Sequence, residues 1–232
     1  EDGEQVIDIL THHPSTARFV ATKLVRRFVS DDPPAALVER VAATYRSTDG
    51  DIRAMLSVIF ADPTFYGEDA YRAKIKKPFE FVVSAVRALR GSVDVRGAYA
   101  LARAAAEIGE GLYEAQPPTG YADRAEAWVS TGALLARMNF ALGLTAHRYP
   151  DVRLDLGALV AGENRARPDA VLDRLLAAIV HNQASAETRA VLATQLSNPE
   201  ITRLTADDRG PAKTDIEKLA ALVIGSPEFQ RR

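Results

Sequence analysis

Apolar residues recur along the chain at the three- and four-residue spacing of amphipathic helices, and no stretch alternates residue by residue with β-branched enrichment. Start and stop signals cut this pattern into about ten helices. The first covers roughly 4–11, and the second opens at Pro14, which suits a first helical position, and runs to about 30. Its spacing predicts a buried side built from Phe19, Leu24 and Phe28. Pro33-Pro34 separates it from a helix through Leu37, Val41 and Tyr45. Asp51 then caps a helix through Met55, Leu56, Ile59 and Phe60, which ends at Asp62-Pro63. A helix over 78–90 is expected to bury Phe79, Val82, Val83, Val86 and Leu89, and another follows over 97–108.

The stretch 109–123 is rich in Gly and Pro, cannot be regular helix, and is the longest loop the pattern predicts. Ser130 or Thr131 caps the next helix, whose run from Leu134 to Leu142 is apolar on nearly every face, the mark of a central helix. Weaker helices follow near 156–161, 169–180, 186–196, 214–224 and 227–230. The fold class is all-α, an irregular multi-helix bundle in one domain over 1–232, with sub-units at about 1–66, 67–150 and 151–232.

The pattern also echoes itself. Asp51-Ile52, Met55, Val58-Ile59-Phe60 and Pro63-x-Phe65 align without gaps on Asp215-Ile216, Leu219, Leu222-Val223-Ile224 and Pro227-x-Phe229. Upstream, Lys23-Leu24-Val25 and Phe28-Val29 align on Arg174-Leu175-Leu176 and Ile179-Val180. The reading is a duplicated three-helix unit on either side of the loop and central helix.

Composition narrows the chemistry. Absence of cysteine excludes disulfides, thiolate metal sites and a cysteine nucleophile. Forty alanines suit helices, and a net charge of −2 argues against a dedicated nucleic-acid binder. No apolar run is long enough to span a bilayer. Because residue 1 is Glu and a helix is under way almost at once, the chain is read as the later part of a longer protein whose export signal, if any, lies upstream.

The common catalytic signatures are missing, and neither a cofactor nor a metal site is expected. Asp49-Gly50-Asp51 begins like a calcium loop, but its twelfth position is Phe60, so it reads as a helix cap. His12 and His13 diverge by about 100° on a helix, and His147 and His181 sit near helix C-termini, where an imidazolium is favoured. Eight cations lie between Arg72 and Arg103, among them Lys74, Lys77 and Arg87, and they suit an anionic partner or a solvated helix face. Within them Glu80, Ser84 and Arg87 share one helical face.

Arg137 and Asn139 interrupt the apolar helix. A buried guanidinium must be paired, and the expected partners are carbonyls of the preceding loop or a carboxylate such as Asp123 or Glu126. Alternatively the pair lines a cleft beneath the loop. That loop, with Gln116, Pro117-Pro118, Gly120, Tyr121 and the lone Trp128, offers stacking faces with polar edges for a peptide or carbohydrate, or it is pinned to the core.

These residues also carry a resemblance. Gln5-Val6-Ile7-Asp8-Ile9-Leu10, His13-Pro14, Ala17-Arg18-Phe19, Lys23-Leu24, Arg27-Phe28, Lys74, Lys77-Pro78-Phe79-Glu80, Gln116-Pro117-Pro118-Thr119-Gly120-Tyr121, Ala127-Trp128, Arg137-Met138-Asn139-Phe140-Ala141 and Gly225-Ser226-Pro227-Glu228-Phe229-Gln230 resemble the bacterial family called domain of unknown function 1800. The resemblance runs from end to end and implies the C-terminal half of an exported protein. It also implies a neighbouring exported partner of the family called domain of unknown function 1501. Many members carry Trp where this chain has Val25. The resemblance implies no reaction. The leading expectation is therefore an exported scaffold or adaptor that binds a partner protein or envelope polymer, with no nucleic acid and no membrane span. The alternatives are a hydrolase of envelope or extracellular polymers using Glu80, Gln116, Tyr121, Trp128, Arg137 and Asn139, or chemistry held in the missing N-terminal half.

Overall fold

A computed structural model of the chain describes residues 2–197, 202–203 and 213–232. The described residues are predominantly helical and divide into two compact units. The first takes the chain up to Ile75 together with Ala122–Ala127 and Arg232; the second holds Lys76–Tyr121 and Trp128–Arg231.

The first unit contains α1 (Asp2–Thr11), α2 (Pro14–Phe28), α3 (Ala35–Ser47) and α4 (Ile52–Ala61). Its core sets Ala17, Ala21, Val25 and Val29 against Leu37, Val38, Val41 and Ala42 of α3 and against Met55 and Ile59 of α4. This corrects the predicted buried side of α2. Ala17, Ala21 and Val25, four residues apart, turn inward because small side chains let α2 approach α3 closely, while Phe19 is 59% exposed. Phe28 lies at the margin and packs edge-on to Phe60 at 5.3 Å between ring centroids. The Asp51 carboxylate accepts from the amides of Arg53 and Ala54 at 2.8 and 3.2 Å, the cap read from the sequence. A polar clamp fixes the returning segment: Asp31 accepts from Lys74 Nζ and from the Ala125 amide (2.6 Å), and Lys74 also donates to the Asp123 carbonyl at 2.9 Å.

The second unit contains α5 (Pro78–Ala88), α6 (Val95–Ile108), α7 (Thr131–Thr145), α8 (Leu156–Leu159), α9 (Pro168–Val180), α10 (Ala186–Gln195), α11 (Ile216–Gly225) and α12 (Pro227–Gln230). Helix α7 packs against α5, α6 and, most extensively, α11. Its inward residues are Arg137, Phe140, Ala141, Gly143, Leu144 and Thr145, whereas Leu134, Leu135 and Leu142 are exposed. The helix is central, but only along one side. Two short antiparallel ladders that periodicity did not signal complete the described structure, Ser92–Val93 with Val152–Arg153 and Thr202–Arg203 with Lys213–Thr214. Two-residue strands are too short for an alternating pattern to register.

The two stretches that echo each other adopt the same local form. Helices α4 and α11 are each ten residues long, begin at an Asp cap and end in a Pro-initiated helical turn, with Met55 and Ile59 buried in one and Leu219 and Val223 in the other. Their packing differs, since α4 lies chiefly on α3 and α11 chiefly on α7 and α9.

Glycine is required where α6 passes the chain at Asp151. A Cβ on Gly97 would stand 2.6 Å from the Asp151 carbonyl oxygen, a backbone atom that cannot swing aside, whereas one on Gly132 would meet nothing within 4 Å. Gly97→Ala is expected to lower stability by about 1–3 kcal/mol in urea denaturation. Gly132→Ala, inside α7, should instead be neutral or stabilising by up to about 1 kcal/mol.

Candidate functional site

The second unit is organised around one buried cation. Arg137 occupies an inward position of α7 and is 1% exposed. Its Nη1 donates to Gln230 Oε1 at 2.7 Å and its Nη2 to the Lys76 carbonyl at 2.7 Å. The guanidinium carbon lies 5.1 Å from the centroid of Phe81, while Nε has no hydrogen-bond partner. Gln230 Nε2 in turn donates to the Ile224 carbonyl at 3.3 Å. Burial pushes the Arg137 pKa down to about 10, with the charges of Glu110 and Glu80 opposing the fall.

Those carboxylates are committed to the start of α5. Glu80 Oε2 accepts from the Lys77 amide at 3.0 Å, and Glu110 Oε2 accepts from the Phe79 amide at 2.9 Å. Two acids thus satisfy amides that α5 leaves unpaired and complement its positive end. At α12, Ser226 Oγ accepts from the Phe229 amide at 3.3 Å, and Glu228 Oε1 accepts from the Ser185 amide and Thr188 Oγ1, both at 2.9 Å. The Phe229 ring stands 5.9 Å from Phe81, and Lys76 Nζ lies 3.7 Å from its centroid.

These anchors border an open groove of about 680 Å3 between α5 and the end of α9. Its apolar floor comes from Phe79, Val83, Ala88, Leu159, Ile179 and Phe229. Lys76, Arg87 and Arg90 bring positive charge to it, His181 adds an imidazole, and Glu80 and Ser84 lie along the same wall. Arg87, Arg90 and His181 are exposed, and none makes an ion pair or a side-chain hydrogen bond within the described residues. Arg90 and His181 both take left-handed backbone, φ 53° and 54°, so the chain turns sharply just past each helix and leaves both side chains at the mouth.

The groove gathers some of the predicted site residues and leaves others apart. Glu80 and Arg87 lie on it with Ser84, as their shared helical face implied. Phe79 and Val83, expected in the core, are 42% and 36% exposed and form its floor, while Phe81, Val82, Ala85 and Val86 take the buried side of α5. Lys77 serves as the N-cap of α5 through its backbone. Lys74 is buried in the first unit against Asp31. Of the basic run 72–103, Arg72 and Lys74 belong to the first unit and the remaining cations to the second.

The loop is pinned. The Tyr121 hydroxyl donates to the Gly111 carbonyl at 2.9 Å and its ring stands 6.0 Å from that of the buried Trp128. Gln116 is exposed, and Asn139 is exposed beside a separate hollow with Leu142 and Arg148. Arg137 does not bond Asp123, Glu126 or the loop carbonyls; its partners come from the starts and ends of other elements, Lys76 and Gln230. A hydrolytic cleft would need Glu80 or another carboxylate to converge with Arg137 or Tyr121 in a pocket; Glu80 lies on the groove and caps a helix, whereas Arg137 is sealed in the core and Tyr121 is bonded within the loop, neither of them lining the groove. Among the described residues no three His, Asp or Glu side chains are placed to hold a metal ion.

Sequence reasoning missed Lys76, Ile179, His181, Phe229 and Gln230 as site residues. A signal existed: the runs Lys77-Pro78-Phe79-Glu80, Arg137-Met138-Asn139-Phe140-Ala141 and Ser226-Pro227-Glu228-Phe229-Gln230 all converge on Arg137 and the groove behind it. A family model described as "Protein of unknown function (DUF1800)" matches residues 1–231. The chain belongs to that family. No curated protein and no solved structure matches it.

The Arg137 anchor of this DUF1800 chain makes a stability prediction. Arg137→Ala removes the side chain that fills the junction and strands the Gln230 amide oxygen and the Lys76 carbonyl, so a loss of about 3–5 kcal/mol is expected in urea denaturation. Gln230→Ala, which leaves the cation one bond short, should cost about 1.5–3 kcal/mol.

Proposed function

We propose that this DUF1800 chain is a helical adaptor, part of a longer exported protein, that binds an acidic, apolar segment of a partner protein in the α5–α9 groove. One observation carries the reading. A groove floored by Phe79, Val83, Ile179 and Phe229 is rimmed by the unpaired cations Arg87 and Arg90 and by the His181 imidazole, while the carboxylates nearest it are turned onto backbone amides. An apolar floor favours a segment carrying hydrophobic side chains over a hydrated polysaccharide, and the cations select acidic flanks. Export and an exported partner of the family called domain of unknown function 1501 rest on family resemblance. The exposed Phe79 and Val83 beside Arg87 and Arg90 supply the apolar patch next to basic charge that an adaptor requires.

The test uses a fluorescent helical peptide with an Ile/Leu stripe flanked by Glu, titrated against the intact chain. Binding should weaken as salt rises, and Arg87→Glu with Arg90→Glu should reduce it at least about tenfold. Phe79→Ser with Val83→Ser should do the same at any salt, and a Lys-flanked version of the peptide should not bind. Equal binding of both peptides, or indifference to all four substitutions, would remove the proposal.

A further inference from the structure

The α5–α9 groove is not uniform along its length. Phe79, Glu80, Val83, Ser84, Arg87 and Ala88 all line it, so α5 forms its wall lengthwise from first turn to last. At 1.5 Å per residue Arg87 stands about 12 Å along the helix from Phe79, and Arg90 follows just past the helix end. The start of α5 is the apolar end, where Phe79 is joined by Phe229, whose ring lies 5.9 Å from that of Phe81. Charge is balanced there, with Lys76 Nζ 3.7 Å from the Phe229 centroid and the Glu80 carboxylate on the Lys77 amide. The other end carries Arg87 and Arg90, and Glu80 is the single acid among the described residues lining the groove. Negative charge on an occupant is therefore favoured at one end only.

The wall also selects a helix. Phe79, Val83 and Arg87 form an i, i+4, i+8 row, and the apolar row of a second helix repeats at the same interval, so the two interlock. An extended segment would leave its backbone groups without partners, because none of the described residues lining the groove belongs to a strand. Two directions bring acids to the arginines: antiparallel to α5 with acids in the first turn, or parallel with acids in the last. Acids stabilise the first turn of a helix and destabilise its last, and an antiparallel helix sets its positive end beside the negative end of α5. Both effects favour the antiparallel arrangement.

We infer that the groove takes an amphipathic helix of its partner in one direction, antiparallel to α5, with Asp or Glu of its first turn on Arg87 and Arg90 and its apolar stripe on Val83, Phe79 and Phe229. The inference rests on the reading of the groove as a site for acidic, apolar segments, and adds the form of the segment, the place of its acids and its direction. Two turns of helix, about eight residues, span the distance from Arg87 to Phe79. A helix with its acids at the opposite end meets Glu80 instead of arginine unless it reverses, and reversal sets its dipole parallel to that of α5.

Two stapled peptides of identical composition test this, one with three Glu in its first turn and one with the same three in its last, both carrying one Ile/Leu stripe and blocked at both ends. The staple holds their helicity equal, which circular dichroism checks, so a difference in affinity reports the groove rather than the peptide. In fluorescence titrations against the intact chain at low salt, the first-turn peptide should bind at least about threefold more tightly than the last-turn peptide. Arg87→Glu with Arg90→Glu should weaken the first-turn peptide at least about tenfold. A nitroxide at the N-terminus of that peptide should broaden the amide resonances of Arg90 and Gly91 more than those of Phe79 and Glu80, and a nitroxide at its C-terminus should do the reverse.

Equal affinity of the two peptides, tighter binding of the last-turn peptide, or the opposite broadening pattern would each overturn the inference. The arginine pair separates these failures from a failure of the site. If the peptides bind in an Arg87- and Arg90-dependent way without a preferred direction, the groove reading stands and the inferred polarity does not. If neither peptide binds, the groove reading fails as well.

Discussion

The second unit depends on where a single guanidinium can be put. Arg137 points into the core of α7 because its helical position demands it, and a cation there must be surrounded or the fold loses several kcal/mol. The surroundings are a carbonyl before α5, an amide oxygen at the end of α12 and the ring of Phe81. Each is neutral, so the cation is held by dipoles and a π face, and burial lowers its pKa to about 10. Such a cradle works only if all three groups arrive together. The start of α5 and the turn Ser226-Pro227-Glu228-Phe229-Gln230 are thereby locked to α7, and Phe229, next to Gln230, is delivered to the groove floor as a consequence.

The same arrangement sets the charge of the groove. Helix α5 opens with unpaired amides that two acids satisfy, Glu80 from its own first turn and Glu110 from beyond the end of α6. Glu228 is likewise spent on the Ser185 amide and Thr188. Acids near the groove therefore face backbone donors, while Arg87, Arg90 and His181 face solvent. A chain with net charge −2 can in this way carry a locally positive site. Total charge could not reveal it, because what counts is which carboxylates the backbone has already claimed.

What was legible in the sequence follows the range of the physics involved. Helix limits and caps are local: Asp51, Ser130 and Asp215 cap where short-range rules place them, and Pro14, Pro78 and Pro227 open helices. Which face is buried is decided by the neighbour. Periodicity placed Phe19 and Phe28 inside α2, but close approach to α3 favours the Ala17, Ala21 and Val25 face. Arg137 was legible as a cation needing partners. Those partners lie 61 and 93 residues away, and no spacing rule connects them. The loop was legible as rigid and aromatic, yet rigidity consumed the very groups that made it a candidate, since Tyr121 and Trp128 serve each other and the loop backbone.

A better guide to function than the loop is the surplus of apolar side chains over what the core can use. Helix α5 carries two apolar faces: Phe81, Val82, Ala85 and Val86 meet the core, and Phe79 and Val83 are left over. Isolated exposed hydrophobics are ordinary, but contiguous helical faces of them, edged by charges that pair with nothing, cost solubility unless something covers them. The surplus on α5 is edged by Arg87 and Arg90, so the surface that would cover it best carries acidic groups beside apolar ones.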